Sequence, residues 1–247
     1  MDYEIVFLHE TDSTNLEVIR RYEKGDLKVP SVVVADYQTA GKGYDDHYWE
    51  SEKGKNLLIS MAWKPVHIEP SGQFVITQIV SLALTDLLKN ILGQEKKIKI
   101  KWPNDIYVND RKIAGILIQN YIQGDQIDLS VIGVGFNVNQ KQFLPETPNP
   151  TSVLLETGKI FDTKTLLQSL LKKFNAYYYK NLSSTKEIGE LYHNQLYRLD
   201  ELSHFKIGEN KTVTGIIRGV NGYGQLLFQM ENGPLRAFHF KEIEYII

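Results

Sequence analysis

The chain has 247 residues, with 28 Lys+Arg against 30 Asp+Glu and a formal net charge of −2. At about 150 residues per domain this suggests one large domain, or one with a small appendage. Its 42% apolar and 23% charged residues are ordinary globular usage, which argues against disorder as the main state. With so little net charge, no overall field draws the chain to nucleic acid or an anionic membrane. Cysteine is absent, so disulfides, zinc–thiolate sites, iron–sulfur clusters and cysteine nucleophiles are all excluded.

Residues 3–8 (YEIVFL) read as a short strand, and Asp12 or Ser13 can cap a helix continued by Leu16, Ile19 and Arg20. The β-branched run SVVVADY (31–37) predicts a buried strand. The segment 38–56 has glycines at 41, 43 and 54 and no apolar period, so it is a long loop of the kind that carries function. LLISMAW (57–63) is a second buried strand, and 71–92 has helical spacing with Gly93 as its stop. KIKIKW (97–102) alternates with period two, 106–122 reads as a hairpin around Asn109-Asp110, and 126–139 as one more strand. Residues 140–151, with prolines at 145, 148 and 150, form a second loop, and 163–182 form an amphipathic helix. From about 198 the chain becomes a series of short strands, with hairpin signals at Asn221-Gly222 and Asn232-Gly233.

No stretch reaches the roughly 18 consecutive apolar residues of a spanning helix. The acidic start MDYEIVFLHETDST also lacks the basic region of a signal peptide, so a cytoplasmic protein without a membrane partner is expected. The common nucleotide, hydrolase and metalloprotease signatures are missing. The six histidines are scattered, which gives no direct support for a protein-built metal site. Two segments are unusual. Gly41-Lys42-Gly43 lets backbone N–H groups approach a ligand, although a plain surface loop would look the same. Trp49 in that polar loop either packs back on the core or closes over a ligand. The second segment is Lys99-Ile100-Lys101-Trp102-Pro103-Asn104-Asp105, followed by Lys112. There the bland reading is a solvated edge strand and a turn. Gly115 and the pair Gly133 and Gly135 interrupt two apolar strands, which suggests a slot on the sheet face.

Taken together, DSTN (12–15), YQTAGKG (37–43), Trp49, KWPND (101–105), RKIAGILI (111–118) and GVGFNVN (133–139) resemble the biotin protein ligases. The likeness covers essentially the whole chain. It implies an α+β fold, with a mixed central sheet and flanking helices in a class II synthetase-like catalytic domain (1–190). A small C-terminal SH3-like β-barrel (198–247) would follow. It further implies a monofunctional ligase without the DNA-binding module of longer members, hence no DNA partner. The acceptor would be a biotin carboxyl carrier domain of an acyl-CoA carboxylase, and exposed sheet edges leave a homodimer open.

The implied reaction joins biotin to ATP as biotinyl-5′-AMP and then to a carrier lysine. Such chemistry needs cations between two anions, short polar partners for the ureido ring and apolar walls for the rest. By match to the motifs, Ser13, Thr14, Asn15, Gln38, Gly41, Lys42, Gly43, Tyr44, Lys112 and Gly115 would meet biotin. Trp49, Lys101, Asn104, Asp105, Gly133, Gly135 and Asn137 would meet ATP or the adenylate, beneath the proline-rich loop. Lys112, Lys42 and Asp105 would be catalytic, and Mg²⁺ would arrive with ATP. One departure stands out. Where the family loop is arginine-rich, this chain has Tyr44-Asp45-Asp46, which loses bidentate phosphate contacts and implies looser retention of the adenylate or heavier reliance on Mg²⁺ and Lys112. The rival readings are a lipoate or octanoate transferase on the same scaffold, and a biotin-binding protein without catalysis.

Overall fold

A computed structural model describes residues 1–44, 48–145, 149–208, 211–231 and 233–246. Asp45, Asp46, Pro148 and Asn232, singled out above, lie outside these residues. The strands β1 (Glu4–Leu8), β2 (Ser31–Ala35), β3 (Leu57–Trp63), β4 (Ile98–Lys101), β5 (Asp105–Val108), β6 (Arg111–Gln123) and β7 (Gln126–Phe136) form one sheet in the order β1-β2-β3-β7-β6-β5-β4. The β1–β2 pair is parallel and the others are antiparallel, so the sheet is mixed. β2 and β3 are buried along their whole length, as their unbroken apolar runs require of strands covered on both faces.

On one face lies helix α1 (Thr14–Glu23), whose Val18 packs with Val33, Ala62, Leu129 and Val131. On the other lies α2 (Phe74–Leu92), which starts after a short 3₁₀ turn at Pro70–Gly72. Two more helices, α4 (Thr163–Ser183) and α5 (Thr185–Asn194), pack on α2, and the short α3 (Val153–Thr157) follows the proline-rich loop. Length and hydropathy alone would let α2 cross a membrane, yet 67% of that window is buried inside the molecule. Its apolarity comes from being enclosed by sheet and helices. Ile76, Ile79, Leu84 and Leu88 are fully buried there, each contributing about 1.5–3 kcal/mol. Trp63 sits edge-on between Phe174 and Tyr178, at 5.2 and 4.9 Å.

α5 is not among the elements expected from the sequence. Its start carries a recognisable signal, since Ser184 caps it by accepting from Glu187 N at 3.2 Å, with Ser and Glu at capping-box spacing. The strand expected over 126–139 ends at Phe136, where Asn137 N turns away to donate to Ile113 O.

A second sheet, all antiparallel, holds β8 (Leu202–Ile207), β9 (Lys211–Val220), β10 (Leu226–Met230), β11 (Leu235–Phe238) and β12 (Ile243–Tyr245) in the order β11-β10-β9-β8-β12. The Asn221-Gly222 turn joins β9 to β10, with Asn221 Oδ1 accepting from Tyr223 N and Gln225 N. This sheet does not stand apart. Phe205, Ile217, Leu226 and Phe228 belong to the same buried cluster as α2 and the large sheet. Trp102 Nε1 donates to Gly224 O at 2.9 Å. A side chain at Gly224, whose φ is +84°, would lie 2.6 Å from the Phe74 ring.

Candidate active site

A cavity of about 740 Å³ opens over one end of the large sheet. Its floor follows from strand register. Asp105, Gly115, Gly135 and Leu58 are successive cross-strand partners in one row, and Leu117, Gly133 and Ser60 form the next. In the first row, a Cβ on Gly115 or Gly135 would lie 2.8 or 2.3 Å from the Trp49 ring. In the second, a Cβ on Gly133 would lie 2.3 Å from Asn15 Oδ1. The slot expected from these glycines is there, and Trp49 and Asn15 lie against its floor.

Of the site residues named from sequence, all but Gly41 line this cavity. Gly41 stands just behind it. A Cβ there would meet Trp49 O at 2.7 Å, and Gly41 O accepts from Trp49 N. The start of the loop is laced to the helix entry, since Thr39 N and Ala40 N donate to Thr11 O and Asp12 O. Asp12 is itself held by Arg20, whose Nη1 and Nη2 donate to the two carboxylate oxygens at 2.8 and 2.7 Å. These bonds from Arg20 keep the Asp12 carboxyl well below the usual carboxylate range.

One end of the cavity is neutral and tightly hydrogen-bonded. Gln38 Oε1 accepts from Thr14 N at 2.7 Å and from Thr14 Oγ1 at 3.0 Å. The Ser60 hydroxyl donates to Thr14 Oγ1 at 2.7 Å and also reaches Asn15 Oδ1. Asn15 Nδ2 donates to Leu117 O and Gln119 Oε1. Asn15, expected as a ligand contact, thus uses both ends of its amide to strap α1 onto β3 and β6. Ser60 and Gln119 belong to this network and were not foreseen.

The other end is charged. Between β5 and β6 the register slips, so that Ile106 faces Ala114 but Tyr107 faces Lys112. Ile113 is therefore the extra residue of a bulge, and Lys112 turns to the same face as Gly115 and Asp105. Lys112 Nζ lies 2.7 Å from Asp105 Oδ1 and 5.4 Å from the Trp49 ring centre. Its backbone is clamped by the proline-rich loop, with Lys112 N donating to Asn149 O and Thr151 N donating to Lys112 O. Lys101 lies over the rings of Tyr107 and Tyr245 at 5.5 and 4.9 Å. Burial lowers its pKa, an effect that Asp105 partly opposes, so the solvated-edge reading does not hold for this lysine. Asn104 spends its Nδ2 on Ile116 O at 2.6 Å, while Lys42 is exposed at the rim.

Three cavity-lining residues carry a buried polar atom without a partner among the described residues: Trp49 Nε1, Asn137 Oδ1 and Tyr245 Oη. Phe143, Leu144 and Pro150 of the proline-rich loop also line the space, as do Phe240 of the β11–β12 turn and Ile243, Glu244 and Tyr245 of β12. The last four were not expected from the sequence, because nothing local ties them to the motifs.

The sequence model of the biotin/lipoate A/B protein ligase family matches residues 7–137. The bifunctional ligase/repressor BirA of Escherichia coli (strain K12) is 30% identical over 232 residues, which cover 92% of this chain and 70% of that protein. The biotin--[acetyl-CoA-carboxylase] ligase of Paracoccus denitrificans is 30% identical over 174 residues, covering 68% of this chain and 70% of that one. The structure of biotin protein ligase from Aquifex aeolicus in complex with biotin and ATP superposes with a TM-score of 0.79. At 24% identity over 98% of this chain and 99% of that one, this is a likeness of fold. By the match of the family model and by these relatives, the chain belongs to the biotin/lipoate A/B protein ligase family.

Proposed function

We propose that this cavity condenses biotin with ATP to biotinyl-5′-AMP, and that the biotinyl group then passes to a lysine of a biotin carboxyl carrier domain. The observation that carries this reading is the division of one cavity into a neutral hydrogen-bonding end and a charged end, with Lys112 at the latter. The network of Thr14, Asn15, Gln38 and Ser60 fixes a polar rim suited to a neutral ureido ring, and Leu117 supplies apolar surface beside it. Lys112 is held by Asp105 until anions arrive. An incoming carboxylate and α-phosphate then take over the ammonium, which offsets their repulsion as the carboxylate oxygen attacks phosphorus and pyrophosphate leaves. The carrier lysine's amine next attacks the acyl carbon, and AMP departs.

Asn137 Oδ1 and Trp49 Nε1 provide a fixed acceptor and donor for the nucleotide half. Glu50, Asp105 and Glu244 are the carboxylates lining the cavity; Asp105 and Glu244 would offer hard oxygen donors of the kind Mg²⁺ takes. Bound with the triphosphate, the ion would offset part of its charge. In this reading residues 1–190 hold the ligands and 198–247 close one wall. The net charge of −2 supports a reading without a DNA partner.

The test is to incubate the chain with biotin, MgATP and a carrier domain and to weigh the carrier. A gain of one biotinyl group at the acceptor lysine is expected. Transfer of lipoate in place of biotin would favour the other branch of the family.

A further inference from the structure

The glycine loop ends on Tyr44 in place of the arginine expected there. The Tyr44 ring meets Phe240, in the turn between β11 and β12, edge-on, with centroids 4.1 Å apart. Phe240 in turn lies 6.2 Å from the ring of Trp102, which is pinned through Nε1 to Gly224 O. Tyr44 and Phe240 both line the main cavity and a smaller one of about 240 Å³ beside it, so the pair is a wall common to the two. Tyr44 is 42% exposed, whereas Phe240 is partly buried and packs against the core.

We propose that Phe240 is a positioning residue. Through the Tyr44 ring it holds the backbone of residues 41–44 against the cavity, so that aromatic packing on the second sheet sets the loop's place where this chain lacks the arginine. The inference rests on the proposed function for its effect on biotin, but the contact can be tested without it. Because the contact is ring to ring, the phenol oxygen has no part in it.

The experiment uses the full chain and four variants: Tyr44→Phe, Tyr44→Ala, Phe240→Ala, and the combination of the two alanine changes. The first readout is the rate of tryptic cleavage after Lys42. An aromatic pair of this geometry is worth about fivefold. Each alanine variant should therefore be cut about fivefold faster than the unchanged chain. The double variant should be cut no faster than either single one, as expected of coupled residues, and Tyr44→Phe should match the unchanged chain. The second readout is biotin-dependent adenylate synthesis, where the KM for biotin should rise about fivefold in Phe240→Ala with kcat within twofold. Unchanged cleavage in Phe240→Ala, additive effects in the double variant, or a loss of kcat alone would overturn the proposal. If the unchanged chain makes no adenylate from biotin and ATP, the functional reading fails, and the cleavage rates still decide the contact.

Discussion

The two ends of the cavity are built on different principles. At the neutral end, polar groups are spent on one another. Asn15 uses its whole side-chain amide, and Thr14, Gln38 and Ser60 close the circuit. At the charged end, the groups are held in reserve. Lys112 is paired with Asp105, Lys101 lies over aromatic rings, and Trp49 Nε1 and Asn137 Oδ1 have no partner among the described residues. A neutral ligand can be recognised by a rigid rim whose cost is met on folding. Charge that develops during a reaction needs groups whose interactions change when ligands arrive.

Variants at each end should therefore fail differently. Lys112→Ala should show the largest effect, a roughly 10²- to 10³-fold loss of adenylate synthesis, with biotin affinity by calorimetry changed less than about fivefold. Equal losses in both would erase the distinction between the ends. At the neutral end, Asn15→Ala leaves Ser60 and Gln119 with a lost partner. It should cost about 1–3 kcal/mol of stability, seen as a Tm lowered by several degrees, together with a higher KM for biotin. An unaltered Tm would mean that the strap is ornamental.

Gly135→Ala places a methyl 2.3 Å from Trp49. It should shift that ring at a cost of about 1–3 kcal/mol, read as faster release of the adenylate. The smallest effect concerns pH. Burial lowers the Lys101 pKa, so this cation loses its proton at a lower pH than an exposed lysine. Adenylate synthesis should accordingly decline on the alkaline side, and Lys101→Arg, which stays charged, should move that decline upward. Superimposable pH–rate profiles would remove Lys101 from the charged end.

Much of this was legible in the residues. The interrupted strands around Gly115, Gly133 and Gly135 announced a slot, and the motif segments do line one cavity. The sequence left two readings for Trp49, packing back on the core or closing over a ligand, and only strand register shows it against two paired glycines. Other features depend on register and distance that local patterns do not encode. Ser60 is hidden in the uniformly apolar LLISMAW, where nothing marks it as the centre of a network. The placement of Lys112 depends on a one-residue bulge at Ile113, without which alternation would put it on the opposite face from Gly115. Phe240 and Tyr245 reach the site only because a second sheet docks on Trp102 and Phe74.

The account turns on an acid and a nucleotide being condensed across Lys112, and isotope exchange between pyrophosphate and ATP tests this without any carrier protein. Exchange that appears on addition of biotin, and is absent without an acid or with lipoate, is the predicted result. No exchange with biotin, or equal exchange with lipoate, would contradict it.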